Sequence, residues 1–170
     1  MAAGNFDKCL KFVLQFEGKF VNNPKDPGGP TNLGVTQRTL SNFLGREATI
    51  AEVKALTPAK VAPIYRLKFW DHVNGDDLPE GIDLAVFDFG VHSGPSRGVM
   101  GLQRALNLAD DGKLGPVTIV AANKADPKTT INAICDERMA FLKKLKVFKS
   151  FGKGLTNRVA KCRKAALSMA

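Results

Sequence analysis

Apolar side chains at Phe6, Cys9, Leu10, Val13, Leu14 and Phe16 recur at helical spacing and predict an amphipathic helix over 6–17, with Asn5 or Asp7 as its N-cap. The rhythm then stops. Residues 18–34 hold four Gly, three Pro and three Asn, a composition that forbids a helix and predicts a long irregular segment. Strand signals are weak there: 19–21 is expected to pair briefly with 33–35. Helical periodicity returns after Thr36, which is placed to cap 37–43. Thr49-Ile50-Ala51-Glu52 has capping-box form. Thr57-Pro58 opens a helix that Ile64, Leu67 and Trp70 continue.

Pro79 opens another helix, with Ile82, Ala85, Val86 and Phe89 inward. Ser93-Gly94-Pro95 closes it and starts the next, which runs through Leu102 and Leu106 towards Leu108. Asp110-Asp111-Gly112 is a turn, with too few acids at alternating positions for a calcium loop. Gly115-Pro116 begins a helix to Ala125. Asp126-Pro127 begins a long one to about Lys146, and a last basic helix is expected near Leu155. No internal repeat or low-complexity linker divides the chain. The pattern predicts one mostly α domain over 1–170, with at most a small β-hairpin in the loop region.

Composition adds charge to this picture. The 170 residues carry a net charge of +9, unevenly spread. Residues 1–125 hold 14 basic and 13 acidic side chains, whereas 126–170 hold 11 and 3. The excess belongs to the C-terminal quarter, where it forms a solvated helix face or meets a polyanion: anionic cell wall, anionic lipid or nucleic acid. No nucleic-acid motif accompanies it, so no nucleic-acid partner is expected. There is no apolar run near twenty residues and no basic-then-apolar start, so neither a transmembrane helix nor a signal peptide is expected. Cys9, Cys135 and Cys162 are odd in number and widely spaced, which reads as free thiols rather than a disulfide framework or zinc site. No metal or nucleotide motif is present, and no cofactor is expected.

Candidate chemistry gathers at the first helix and its loop. Glu17 ends an apolar stretch, and a carboxyl there can be raised by desolvation to serve as a general acid. Asp26 follows on the loop as a second carboxylate, with Thr31, Asn32 and Thr36 beside it to orient water or hold sugar hydroxyls. On spacing alone, Glu17 as a local cap and Asp26 as opener of the turn Asp26-Pro27-Gly28 explain these residues as well.

The string Glu17-Gly18-Lys19-Phe20-Val21-Asn22, followed by Asp26-Pro27-Gly28-Gly29-Pro30-Thr31-Asn32-Leu33-Gly34-Val35-Thr36, resembles the glycoside hydrolase family 108 pattern EGGY-VN, DPGG-TN-GIT. The likeness continues at Ala62-Pro63-Ile64-Tyr65, Phe69-Trp70-Asp71, Asp76-Asp77-Leu78-Pro79, Ala85-Val86-Phe87-Asp88 and Ser93-Gly94-Pro95. Leu102-Gln103-Arg104-Ala105-Leu106 and 111–118 look like the family's C-terminal peptidoglycan-binding part, which here is 96–170 packed on a motif-bearing 1–95.

The resemblance implies a lysozyme-like helical fold. It implies cleavage of the β-1,4 bond between N-acetylmuramic acid and N-acetylglucosamine in peptidoglycan, as in phage endolysins and bacterial lysis or secretion-activator proteins. It implies Glu17 as catalytic acid. The arrangement of Glu17, Asp26 and Thr31 is also similar to the Glu–Asp–Thr triad of phage-type lysozymes, which would make Asp26 the base or charge stabiliser and Thr31 the water holder. Substrate contacts are expected from Asn32, Thr36, Tyr65, Asp88, His92 and Ser93, acting on peptidoglycan glycan strands. Tyr65 and Trp70 also suit core packing, and Asp88, four residues before His92, suits an internal ion pair.

Four positions depart from the family pattern. Lys19 and Phe20 replace Gly and Tyr, His92 replaces Asn, and Leu155 replaces a frequent Trp. Lys19 points to solvent, helps hold the anionic glycan, or reaches Glu17 and weakens the acid by its charge. The departures leave open a degenerate member that holds glycan without cutting it. A monomer is expected, made in the cytoplasm and acting at the wall after release or assisted export.

Overall fold

Side-chain caps set the starts of α-helices at Gln37, Ile50, Pro58 and Pro127 in the computed structural model, which describes residues 4–170. The helices are α1 Phe6–Leu14, α2 Gln37–Leu44, α3 Ile50–Lys54, α4 Pro58–Tyr65, α5 Ile82–Ser93, α6 Pro95–Ala105, α7 Pro116–Lys124, α8 Pro127–Lys143 and α9 Phe148–Met169. Thr36 Oγ1 accepts from Thr39 N at 3.1 Å, Thr57 Oγ1 from Lys60 N at 3.3 Å, and Asp126 Oδ1 from Thr129 N at 2.8 Å. Thr49 and Glu52 complete a reciprocal capping box. Four helices carry Pro in their first turn, where its missing N–H would be unpaired in any case.

Two compact units emerge. The first is Leu10–Lys68. It contains the end of α1, the 18–34 segment, a two-stranded antiparallel sheet and α2 to α4. Strand β1 is Thr31–Asn32 and β2 is Val35–Thr36, in the register Thr31↔Thr36 and Asn32↔Val35. Leu10, Val13, Val35, Leu40, Val53, Val61, Ile64 and Tyr65 are buried.

The second unit joins Met1–Cys9 to Phe69–Ala170. Its centre is α5, whose residues from Ile82 to Gly90 are all buried, and α6, α8 and α9 pack on it. A helix apolar on every side is a core helix. Gly98 lets α6 approach closely, since a Cβ there would lie 2.5 Å from the Val86 carbonyl oxygen. Trp70, fully buried, stacks edge-on with Phe6 at 5.3 Å and Phe87 at 5.1 Å and donates from Nε1 to Asp76 Oδ1 at 3.1 Å. Its role is core packing. Cys9, Cys135 and Cys162 are buried free thiols.

The mostly α fold expected from the sequence is the fold observed. Several boundaries differ. α1 stops at Leu14, with Gln15 and Phe16 tightening into i→i+3 bonds, so Glu17 lies beyond the helix. The pairing of 19–21 with 33–35 does not form; instead Val21 bridges Thr31, and β1 pairs with β2. α4 gives way at Tyr65 to a π-helical turn, Arg66–Trp70, just after the internal Pro63. The wider turn changes the phase, so Leu67 is exposed while Trp70 is buried. α8 ends at Lys143, and α9 begins at Phe148, a full turn and more before Leu155.

Candidate active site

In the Leu10–Lys68 unit the irregular segment is built from backbone pairing and short turns. Val21 N donates to Thr31 O at 2.8 Å, Thr31 N returns the bond to Val21 O at 2.9 Å, and Leu33 N donates to Gly18 O at 2.9 Å. These three bonds lay 18–21 alongside β1, and the last fixes the residue that follows Glu17. The β1–β2 turn consists of Leu33 and Gly34, both left-handed, at φ 50 and 74. Positive φ at both central residues is the requirement of a two-residue type I′ hairpin.

Gly34 is where this turn meets the acid. A Cβ at this position would fall on Tyr65 Oη and 2.8 Å from Glu17 Oε2. Only glycine allows the backbone this close to both groups. Tyr65 Oη donates to Leu33 O at 2.8 Å, and its ring is buried. Glu17 itself is half-buried, with Phe12 and Phe16 before it in ring contact at 5.2 Å. The structure therefore brings Glu17, Tyr65 and the Leu33–Gly34 turn together.

Asp26 is exposed, on the far stretch of the segment. Its Oδ1 accepts from Gly28 N at 2.8 Å, and its carbonyl accepts from Gly29 N at 3.0 Å, an Asx-type turn that fixes the carboxylate's direction. Gly28 sits between this carboxylate and the Thr36 methyl group. Thr31 is half-buried, and its hydroxyl donates to Gly29 O at 3.1 Å. Lys19 is exposed to solvent, while Phe20 is half-buried with Lys54 Nζ 5.9 Å from its ring centre.

Not every expected substrate contact is placed to touch substrate. Asn32 is buried, and its amide donates to Val53 O and Lys54 O at 3.1 Å each and to Leu56 O at 3.5 Å. It satisfies the open carbonyls at the end of α3 instead of facing a sugar. Tyr65 works from within the core through its hydroxyl. Thr36 spends its hydroxyl on the α2 cap and on a bond to Thr39 Oγ1 at 3.0 Å.

In the larger unit, Asp88 is completely buried on α5 and is no surface ligand. Arg138 Nη1 donates to its Oδ2 at 2.6 Å, and Arg158 Nη2 donates to its Oδ1 at 2.7 Å. Burial alone would raise the Asp88 carboxyl, but the charges of Arg138 and Arg158 outweigh it and hold the group below the usual range. His92, one turn on, is half-buried, and Arg138 Nη2 lies 3.3 Å from its Nδ1. Arg138 can only donate, so Nδ1 accepts and the ring proton is on Nε2. Burial, followed by the charges of Arg138 and Arg158, pushes His92 down to about 4. The ring is therefore neutral across ordinary pH and presents a donor at Nε2. Ser93 ends α5, half-buried, just before Gly94 at φ 100.

Sequence reading missed Gly34 as the contact residue of the acid and Arg138 and Arg158 as partners of Asp88. A glycine inside the loop motif is a signal for the first. For the second, the clue was an arginine at an inward position of each of two helices.

No curated protein sequence matches the chain. The glycosyl hydrolase 108 family model matches residues 10–94, a stretch that contains Glu17 and the whole hairpin region and ends before 96–170. The solved structure of SagA from Brucella abortus is 48% identical, with a TM-score of 0.84, over 98% of this chain and 95% of that one. On the family match and the whole-length likeness, the chain belongs to glycosyl hydrolase family 108.

Proposed function

We propose that this glycoside hydrolase is an N-acetylmuramidase that cleaves the β-1,4 bond between N-acetylmuramic acid and N-acetylglucosamine in peptidoglycan. Family membership supports peptidoglycan hydrolysis. The observation that carries the finer reading is the seat of Glu17: a half-buried carboxyl held beside a left-handed glycine and a tyrosine hydroxyl, with an exposed, turn-fixed Asp26 on the loop segment that follows it. In this reading Glu17 donates its proton to the glycosidic oxygen as the bond breaks. Asp26 faces the developing oxocarbenium charge or takes the proton of the attacking water, and Thr31 helps to place that water. His92 Nε2–H and Ser93 offer donors for sugar hydroxyl and acetamide oxygens, and residues 96–170 hold further glycan.

Digestion of purified peptidoglycan, followed by mass analysis of the fragments, tests this. New reducing ends on N-acetylmuramic acid are expected from the wild type, and their rate falls about a thousandfold in Glu17→Gln, within the range for loss of a general acid. Equal clearing by the two proteins removes Glu17 from the mechanism. Glycan retention without cleavage by either would mark a binding protein instead.

A further inference from the structure

The seam between α8 and α9 holds two of the three thiols. Arg163 on α9 donates to Asn132 O at 3.1 Å, to Asn132 Oδ1 at 2.9 Å and to Asp136 Oδ1 at 2.7 Å. Further along, Arg138 of α8 and Arg158 of α9 converge on Asp88. The two helices therefore run antiparallel, with the turn from Asn132 to Asp136 facing Arg163 and Arg138 brought level with Arg158. Cys135 lies inside that first turn, and Cys162 immediately precedes Arg163. This register sets the two cysteines against each other, and both are buried. The Cys162 thiol donates a hydrogen bond to Cys135. That bond, aided by the charges of Arg163 and Arg138, outweighs burial and holds the Cys135 thiol below its ordinary value. Giving the bond, and then burial, raises Cys162.

Paired thiols serve metal binding or oxidation. Among the described residues no group of three or more His, Cys, Asp or Glu is placed to hold a metal ion, which leaves oxidation. Cys9 lies apart on α1, with Asp83, Lys8 and Glu80 as its charged neighbours. We propose that Cys135 and Cys162 are a disulfide site, which a small-molecule or protein disulfide oxidises to fasten α9 to α8. The Cys135 thiolate attacks one sulfur of the oxidant, forming a mixed disulfide and releasing the other sulfur as a thiol. Cys162 then loses its proton and attacks the Cys135 sulfur, and the second oxidant thiol leaves. Two electrons and two protons pass from the cysteines to the oxidant. Both sulfurs are covered, so exchange requires α9 to lift locally from α8, and the finished bond opposes that opening. It thereby keeps Arg158 on Asp88. Peptidoglycan, the proposed substrate, lies outside the reducing cytoplasm, so the place where the bond forms rests on that reading, whereas the pairing does not.

The test incubates the full folded chain with oxidised glutathione at neutral pH, without denaturant, beside a sample kept in reductant. Thiol titration after denaturation is expected to show two of the three thiols lost. Mass analysis of a protease digest is expected to show the peptide carrying Cys135 joined to the one carrying Cys162. The oxidised chain is expected to melt ~5–10 °C above the reduced one, and added reductant to reverse the gain. Cys135→Ala and Cys162→Ala are each expected to abolish both the link and the gain, with circular dichroism checking that they fold. The wild-type chain carries every readout by itself, so a variant that fails to fold does not weaken the test. Three free thiols after oxidation, a bond that includes Cys9, or glutathione retained on Cys135 without closure overturns the proposal. So does an oxidised chain that melts at or below the temperature of the reduced one. Glu17→Gln is expected to oxidise and gain stability like the wild type, so the cleavage assignment can fail without touching this result.

Discussion

The carboxylates of the loop segment and those of helix α5 show opposite uses of the same chemical group. Glu17 and Asp26 sit on irregular backbone, half-buried and exposed. Asp83 and Asp88 sit inside a helix with no exposed surface. Asp88 is tied to two guanidinium groups. Asp83 accepts from Asn5 Nδ2 at 2.7 Å, Gly81 N at 2.8 Å and Leu84 N at 2.7 Å. A buried carboxylate has to be satisfied by the protein, and one that is satisfied has little left to offer a ligand. The loop gives up regular structure and so leaves its carboxyls half-buried and exposed, as the proposed role of Glu17 and Asp26 requires.

Substitutions that separate activity from stability break or sharpen this contrast. The largest effect is expected at Glu17→Gln, about a thousandfold in cleavage rate, with the midpoint of urea unfolding unchanged. Asp88→Asn is expected to do the reverse. It leaves two buried guanidinium groups short of their counter-charge and lowers the unfolding free energy by ~3–5 kcal/mol, while cleavage per folded molecule holds at low temperature. If Asp88→Asn left stability intact and abolished cleavage, the division between structural and chemical carboxylates would be wrong.

A smaller effect pits two groups on α5 against each other. Burial first, despite the hydrogen bonds from Asn5, Leu84 and Gly81, raises Asp83 to about 6 from an ordinary 3.8. The folded chain holds that proton where the unfolded chain has lost it, so stability falls as pH rises from about 4 to 6. His92 works the other way. Held near 4 instead of 6.5, it stays neutral in the fold while the unfolded ring gains a proton, so stability falls as pH drops through that window. The two slopes oppose. Asp83→Asn is expected to steepen the loss of stability towards acid relative to wild type, and His92→Asn to steepen the loss towards neutral pH. Each difference is ~1–3 kcal/mol across the window, read from urea unfolding at stepped pH. Parallel curves for all three proteins would refute the opposition.

Much of this was legible in the sequence because it is local. Thr36, Thr49 with Glu52, Thr57-Pro58 and Asp126-Pro127 announce helix starts through bonds that span three residues. The loop motif marks the region of the acid. What escaped depends on distance along the chain. Asn32 reads as a sugar ligand until its acceptors, 21 to 24 residues away, are known. Asp88 meets Arg138 and Arg158 across 50 and 70 residues. The early start of α9 runs against local propensity, since Gly152 and Gly154 each weaken a helix interior. The helix runs through them, with Gly152 packed against the Phe148 ring.

The β1–β2 turn carries one more consequence, for engineering. Among the described residues, three that are not glycine have positive φ: Asn74, Asn107 and Leu33. Asparagine tolerates that backbone and leucine does not, at a cost on the order of 1–2 kcal/mol. Of these three, the strained choice falls at the turn that seats Glu17. Leu33→Asn is therefore a site for gaining thermal tolerance. The Leu33 carbonyl that holds Tyr65 belongs to the backbone and survives the exchange. A rise in melting temperature with cleavage retained would show that this strain is inherited rather than required, and a rise with cleavage lost would show that the turn trades durability for rate.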